Sequence, residues 1–269
     1  DDVMKTNNIL KKSLLSSVFF VILVVIVFYF VFKDLGFKDV LILFKNSNKL
    51  YLIIAVFCMA SYSFLEGLNV KIILKSLGNK IKYSACYKYA VGSFFTASIT
   101  PSSSGGDPMA IFLMARDKLP VSHSAITLLT KLMCYQIVVL SLSLISFITT
   151  YKQTMNLLGN MKFLVFLGLF LNMLVFSLYF LAIFFKQIMV FLVDLLCKLL
   201  YKLHFKKAKS LEEKIHIQIE EYGSAALILK NNKKIVLKVV LVTLVQIIIF
   251  YSIPYFVYRA LGYHETSII

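Results

Sequence analysis

The sequence predicts an all-α integral membrane protein, and three observations predict it. Hydrophobic residues make up 59% of the 269 residues and the mean hydropathy is +0.83; soluble domains are nearer half apolar. The apolar residues gather into long runs separated by lysine-rich segments. One polar, helix-breaking run, Ser98–Pro108, stands inside apolar sequence. Bare backbone there is costly in hydrocarbon, because N–H and C=O groups find no water. Such a break is either a surface loop or backbone lining a cavity, and broken helices at membrane depth are where transporters bind ligands.

Five spans are expected. Ser13–Phe32 is uncharged and about 30 Å long as a helix. It lacks a small-residue cleavage site, so it reads as an anchor rather than a signal peptide. Leu50–Leu74, Ser122–Thr150, Phe163–Phe185 and Ile235–Tyr258 follow. Between the second and third spans, residues 83–120 read as a re-entrant broken-helix hairpin. Tyr83–Ser98 forms one helix and Pro101–Gly106 breaks it. Asp107 is expected to be an N-cap and Pro108 the first helical residue of a short helix to about Lys118, which Pro120 stops. That second helix, about 16 Å, is too short to cross. Residues 186–234 read as a cytoplasmic helical loop. Ile188, Leu192, Leu195 and Leu199 recur at helical spacing opposite Lys198 and Lys202, which suits an interfacial helix. Leu211, Ile215, Ile219, Tyr222, Ala226 and Leu229 predict a second amphipathic helix. Residues 1–269 form a single membrane domain. It starts Asp1-Asp2 and stops at Ile268-Ile269 without a polar tail, which suggests a piece of a longer protein.

Charge orients this layout. With the N-terminus inside, the outer segments carry only Lys33, Lys38, Lys45, Lys49, Lys152, Lys162 and Arg259. The inner ones hold nearly all other basic residues, including the dense Lys186–Lys234 loop. A fully crossing hairpin would turn that loop outward, so the re-entrant layout is preferred. The Lys and Arg residues behind the net charge of +16 cluster between the apolar segments. That suits anionic lipid head groups and not a nucleic-acid stripe, so no nucleic acid is expected as a direct partner. Cys58, Cys86, Cys134 and Cys197 lack CxxC spacing and read as reduced packing residues. His123, His204, His216 and His264 are scattered, and no metal or cofactor is expected. Composition, with no Trp and abundant Lys, Phe and Ile, points to the plasma membrane of an AT-rich bacterium.

The run from Ser93 through Thr100-Pro101-Ser102-Ser103-Ser104-Gly105-Gly106-Asp107-Pro108, with the short apolar helix, the charged turn and Tyr135-Gln136 after it, resembles the transmembrane region of lysylphosphatidylglycerol synthases, a flippase-like family. Glu220-Glu221-Tyr222, Gln246 and Ala260-Leu261-Gly262 support the resemblance, which covers most of the chain. Family members usually continue with a second Pro/Gly-rich break and further helices. The synthase members also carry a soluble aminoacyltransferase domain, and neither part is present here. The resemblance therefore implies lipid translocation more directly than aminoacyl transfer. A soluble transferase domain or a second copy of the chain remains a possible partner.

The candidate binding residues follow from cost. Ser102, Ser103 and Ser104 offer hydroxyls, and Gly105 and Gly106 let backbone N–H groups approach a ligand. The helix start favours a phosphate, whereas Asp107 would hold a cationic head group; a structural turn is the alternative. Glu66, with Tyr62, Ser63 and Asn69 on its face, is costly at its depth unless paired. It either pairs with Lys71 or Lys75 at the interface, or faces a cavity. Lys131 either snorkels to the interface or faces the cavity and binds phosphate or Glu66. Gln136 and Gln246 read first as helix–helix hydrogen-bonding residues. Arg116 anchors at the interface or meets lipid phosphate, and Tyr135 belongs to the family motif.

Three functions stay open on sequence. The first is a flippase-like domain moving an anionic or aminoacylated phospholipid such as lysylphosphatidylglycerol. The second is the membrane part of a phosphatidylglycerol lysyltransferase acting in resistance to cationic antimicrobial peptides. The third is an ion-coupled small-solute transporter.

Overall fold

The computed structural model describes residues 25, 29, 37–158, 162–185, 187 and 208–263. The predicted first span, the first amphipathic helix of the 186–234 loop, Cys197 and His264 fall outside these residues, apart from Val25 and Tyr29. Among the described residues the secondary structure is helical, and the protein is an all-α, multi-pass membrane protein.

A short helix, α1 (Phe37–Asn46), precedes α2 (Lys49–Ser76). Asn48 caps α2 by accepting from the Leu50 N–H at 3.0 Å. The broken element is α3 (Tyr83–Ile99), a 3-10 turn (Pro101–Ser103) and α4 (Gly106–Arg116). Then come α5 (Val121–Thr149), α6 (Tyr151–Leu158), α7 (Lys162–Phe184), α8 (Ala208–Asn231) and α9 (Lys233–Ala260). Of these, α2, α5, α7 and α9 are long and apolar enough to cross a membrane, and they match the second to fifth predicted spans within about two residues. Neither α1 nor the short α6 is among the elements the sequence predicts. Pro254 lies inside α9, which continues past it to Ala260.

Helix α7 shows why the outside is lipid. Phe166, Phe170 and Met173 are more than half exposed, and apart from Asn172 and Ser177 the residues from Phe163 to Phe184 are apolar or aromatic; in water that surface would not persist. Inside, α2 and α9 run antiparallel. The Asn48 N–H donates to the Ala260 carbonyl at 2.8 Å at one end, and Asn69 reaches Thr243 and Gln246 farther along.

Antiparallel contacts also fix α3 and α4. Gly106 packs on Ala97 and Ser93, Gly92 on Leu113, and Lys88 meets Asp117. The two helices thus return to one end of the bundle. At Gly92 an added Cβ would lie 2.6 Å from the Leu113 side chain, so the small residue sets how closely they pack. Gly67 does the same between α2 and α3, where a Cβ would fall 2.9 Å from Tyr87 Cα.

One buried cluster joins Val70, Leu74, Tyr89, Ala110, Met114 and Leu128 at the base of this hairpin. Another joins Ile73, Ile126, Ile183, Tyr222 and Val239. Tyr222, Ala226 and Leu229 therefore do as their periodicity predicted, and they cover α5 and α7 rather than lying free. Tyr222 donates to the Ala182 carbonyl at 2.8 Å, and Ser122 to Glu221 Oε2 at 2.8 Å.

Candidate functional site

A polar pocket of about 170 Å³ opens where α2, the hairpin and α5 converge. Tyr62, Glu66, Ser93, Ser103, Asp107 and Lys131 line it. Helical spacing places Tyr62 and Glu66 one turn apart on one face of α2. The 3-10 turn brings Ser103 in, the first turn of α4 brings Asp107, and Lys131 stands about 15 Å along α5 from Val121. The pocket thus lies within the length of α2 and α5 and at the turn of the hairpin.

Its core is an ion pair. Lys131 Nζ stands 2.6 Å from Glu66 Oε1, with the two side chains only 12% and 17% exposed. The second Glu66 oxygen accepts from Gln246 Nε2 at 2.7 Å. Asn69 Nδ2 donates to Gln246 Oε1 at 3.1 Å and to Thr243 Oγ1 at 3.0 Å. Because the Gln246 carbonyl is taken by Asn69, its amide nitrogen is the group left to face Glu66. The chain Thr243–Asn69–Gln246–Glu66–Lys131 satisfies a buried carboxylate from two sides, as a low-dielectric site requires. Glu66 and Lys131 therefore pair with each other across the cavity, and neither the Lys71/Lys75 pairing nor interfacial snorkelling occurs.

Asp107 corrects the sequence reading. Gly105 is the N-cap residue and makes no side-chain cap bond; α4 begins at Gly106. The helix starts early because Gly105 itself lies in the right-handed helical region (φ −83°, ψ −12°). Asp107 sits in the first turn, Pro108 is the third helical residue rather than the first, and α4 ends at Arg116 rather than Lys118. Released from capping, the Asp107 carboxylate lies 3.9 Å from Lys131 Nζ. The pocket thus holds two carboxylates against one ammonium, an excess of one negative charge when all three are ionised.

The other predicted residues divide. Thr100 Oγ1 donates to the Thr96 carbonyl at 2.8 Å and accepts from the Gly105 N–H at 3.0 Å, so that N–H is engaged within the turn. Gly106 is buried against Ala97. Ser104 donates to the Pro101 carbonyl at 2.9 Å. Ser102 and Ser103 take left-handed backbone (φ 53° and 56°), a conformation that costs non-glycine residues energy. Pro101 opens the turn, and Pro108 is exposed.

Gln136 is remote from the pocket. Its amide donates to Asn172 Oδ1 at 2.7 Å and to the Asn172 carbonyl at 3.1 Å, locking α5 to α7. Tyr135 stands beside Tyr251 and near Glu66, whereas Arg116 is exposed at the far end of α4. Sequence reasoning missed Thr243, although it lies one turn from Gln246 on an apolar helix. It also missed Asn172, a lone amide in an apolar span, and Asp117. Asp117 accepts from Lys88 at 2.8 Å and from Tyr89 at 2.6 Å, and these donors, Lys88 first, hold its carboxyl below the usual carboxylate range.

The fold is that of a helical multi-pass membrane protein with a charged pocket beside a broken helix. The chain belongs to the family described as the lysylphosphatidylglycerol synthase TM region, whose model matches residues 14–268. It is also similar to a UPF0104 membrane protein of Archaeoglobus fulgidus, 28% identical over 222 residues, covering 81% of this chain and 66% of that protein. The chain thus spans just under two thirds of that relative's length. No solved structure matches.

Proposed function

We propose that this chain is a lipid-translocating membrane domain in which the α3–α4 hairpin is re-entrant and the polar pocket passes a phospholipid head group between leaflets. The observation that carries this reading is the Glu66–Lys131 pair with Asp107 alongside. Burying Glu66 and Lys131 at mid-helix depth is costly, and the open pocket beside them, with the half-exposed Asp107 at its edge, is where a polar head group would repay part of that cost by supplying new partners. Family membership supports lipid as the cargo. The excess carboxylate favours a head group bearing an amine, such as an aminoacylated phosphatidylglycerol, over a bare phosphate. Acyl chains remain in the surrounding lipid, and the side chains are asked only to bind and release charge. The distribution of lysines supports a cytoplasmic N-terminus and a bacterial plasma membrane.

The test is transbilayer movement of labelled phosphatidylglycerol and lysylphosphatidylglycerol in proteoliposomes. Wild-type protein is expected to move lipid, and Asp107→Asn to slow the cationic lipid several-fold more than the anionic one. Folded wild-type protein that moves neither lipid sinks the translocation reading. Equal slowing of both lipids sinks the assignment of Asp107.

A further inference from the structure

We propose a second, separate lipid site at the α2–α3 edge: an anionic phospholipid whose acyl chain lies in an apolar groove and whose phosphate sits in a lysine cradle. The groove, about 640 Å³, is walled by Phe57, Ala60, Phe64, Tyr83, Tyr87 and Ile249. The cradle, about 540 Å³, opens at the turn after α2, where Lys71, Lys75, Lys80 and Lys82 surround Gly78 and Asn79. Gly78 takes φ +83° there, the left-handed conformation that lets the chain reverse and set Lys75 and Lys80 on either side.

Helix geometry makes the two hollows one site. Phe57, Phe64, Lys71 and Lys75 are spaced by seven, seven and four residues, so they share one face of α2. Lys71 belongs to the cradle, and its Nζ stands 5.8 Å above the ring of Tyr83, which walls the groove. Glu66 lies half a turn away on the opposite face of α2 and lines the polar pocket, so this site is distinct from the headgroup path.

Charge selects the occupant. Lys88 and Lys131 pair with carboxylates. Among the described residues, Lys71, Lys75, Lys80 and Lys82 form no ion pair with a carboxylate, which leaves four positive charges round one hollow. Each lysine near an anionic membrane surface adds to the attraction. A soluble anion would use the cradle alone, and a zwitterionic lipid chiefly the groove. An anionic phospholipid of the leaflet at this end uses both.

Native mass spectrometry of the full chain, given equal amounts of phosphatidylglycerol and phosphatidylcholine with the same acyl chains, tests this. Wild-type protein is expected to retain phosphatidylglycerol preferentially, and the preference should shrink as ionic strength rises from about 0.05 to about 0.5 M. Changing all four lysines to Gln should reduce the preference at least about tenfold while phosphatidylcholine retention stays the same. Ala60→Trp, which fills the groove, should reduce retention of both lipids. A preference that survives the lysine changes overturns the proposal, as does full displacement of phosphatidylglycerol by millimolar inorganic phosphate or undiminished retention in Ala60→Trp. If the fourfold variant does not fold, the salt series on wild-type protein decides, and a salt-independent preference overturns the cradle.

Discussion

Two ion pairs in this molecule share a design and differ in surroundings. In each, a carboxylate accepts from one lysine and one neutral donor: Glu66 from Lys131 and Gln246, Asp117 from Lys88 and Tyr89. The lysine distances, 2.6 and 2.8 Å, are nearly the same. The inner pair is largely buried, whereas the side chains of the outer pair are 49% and 31% exposed. Distance alone therefore does not say what an ion pair contributes. Water round Lys88 and Asp117 would solvate either charge if its partner left, so the pair mainly ties α3 to the end of α4. Lys131 keeps Asp107 within 3.9 Å if Glu66 is lost, whereas Glu66 has no second cation beside it among the described residues, so the buried carboxylate commits the fold to its lysine.

The comparison breaks most sharply in single variants of the inner pair. Lys131→Met leaves a buried carboxylate with Gln246 alone and should cost about 3–5 kcal/mol, seen as a large fall in thermal midpoint in detergent together with loss of lipid movement. The double variant Glu66→Gln with Lys131→Met removes both charges. It should be more stable than the sum of the single losses predicts, by about 1–3 kcal/mol; strictly additive losses would mean that the two residues act independently. Asp117→Asn should leave the thermal midpoint almost unchanged, while faster hydrogen exchange appears in the residues flanking Lys88 and Asp117. The smallest effect is that of pH. Because Asp117 is held below its ordinary range, its contribution is fully present above the unfolded-state value near 4. It fades as pH falls through the lower folded-state value. Exchange at the hairpin ends should be flat across neutral pH and rise only in acid; a rise centred near pH 7 would contradict the assignment.

Much of the fold was legible because length and hydropathy suffice for helices in lipid. Runs such as Phe163–Phe185 have no competing reading, and their ends fell where lysines or helix-starting residues intervene. The broken element was legible for a related reason: Pro101 and the Gly105-Gly106 pair cannot sit unnoticed in hydrocarbon. The start of α4 was not. Asp-Pro is a strong helix-start signal, but Gly105 takes helical backbone without a side-chain cap, so the helix begins at Gly106. The site was half legible. The expense of Glu66 and Lys131 marks them, and a pair between them is one of the arrangements their positions allow. That Gln246 and Thr243 complete the network depends on the antiparallel register of α2 and α9, which residues far apart in sequence establish only on packing. Gln136 shows the reverse: an amide beside Lys131 in sequence faces another helix altogether, because five residues of α-helix turn a side chain well away from its earlier neighbour.

On the proposed re-entrant layout, the return of α3 and α4 to one end of the bundle has a consequence for the parity of the chain. A segment that comes back to its starting side adds no crossing, so it drops out of the alternation that assigns each later helix end to one face. Shortening the hairpin, lengthening its turn or exchanging it for a relative's would reshape the polar pocket while leaving every helix from α5 onward facing as before. The part of the sequence that lines the polar pocket can thus vary without the rest of the chain being turned inside out.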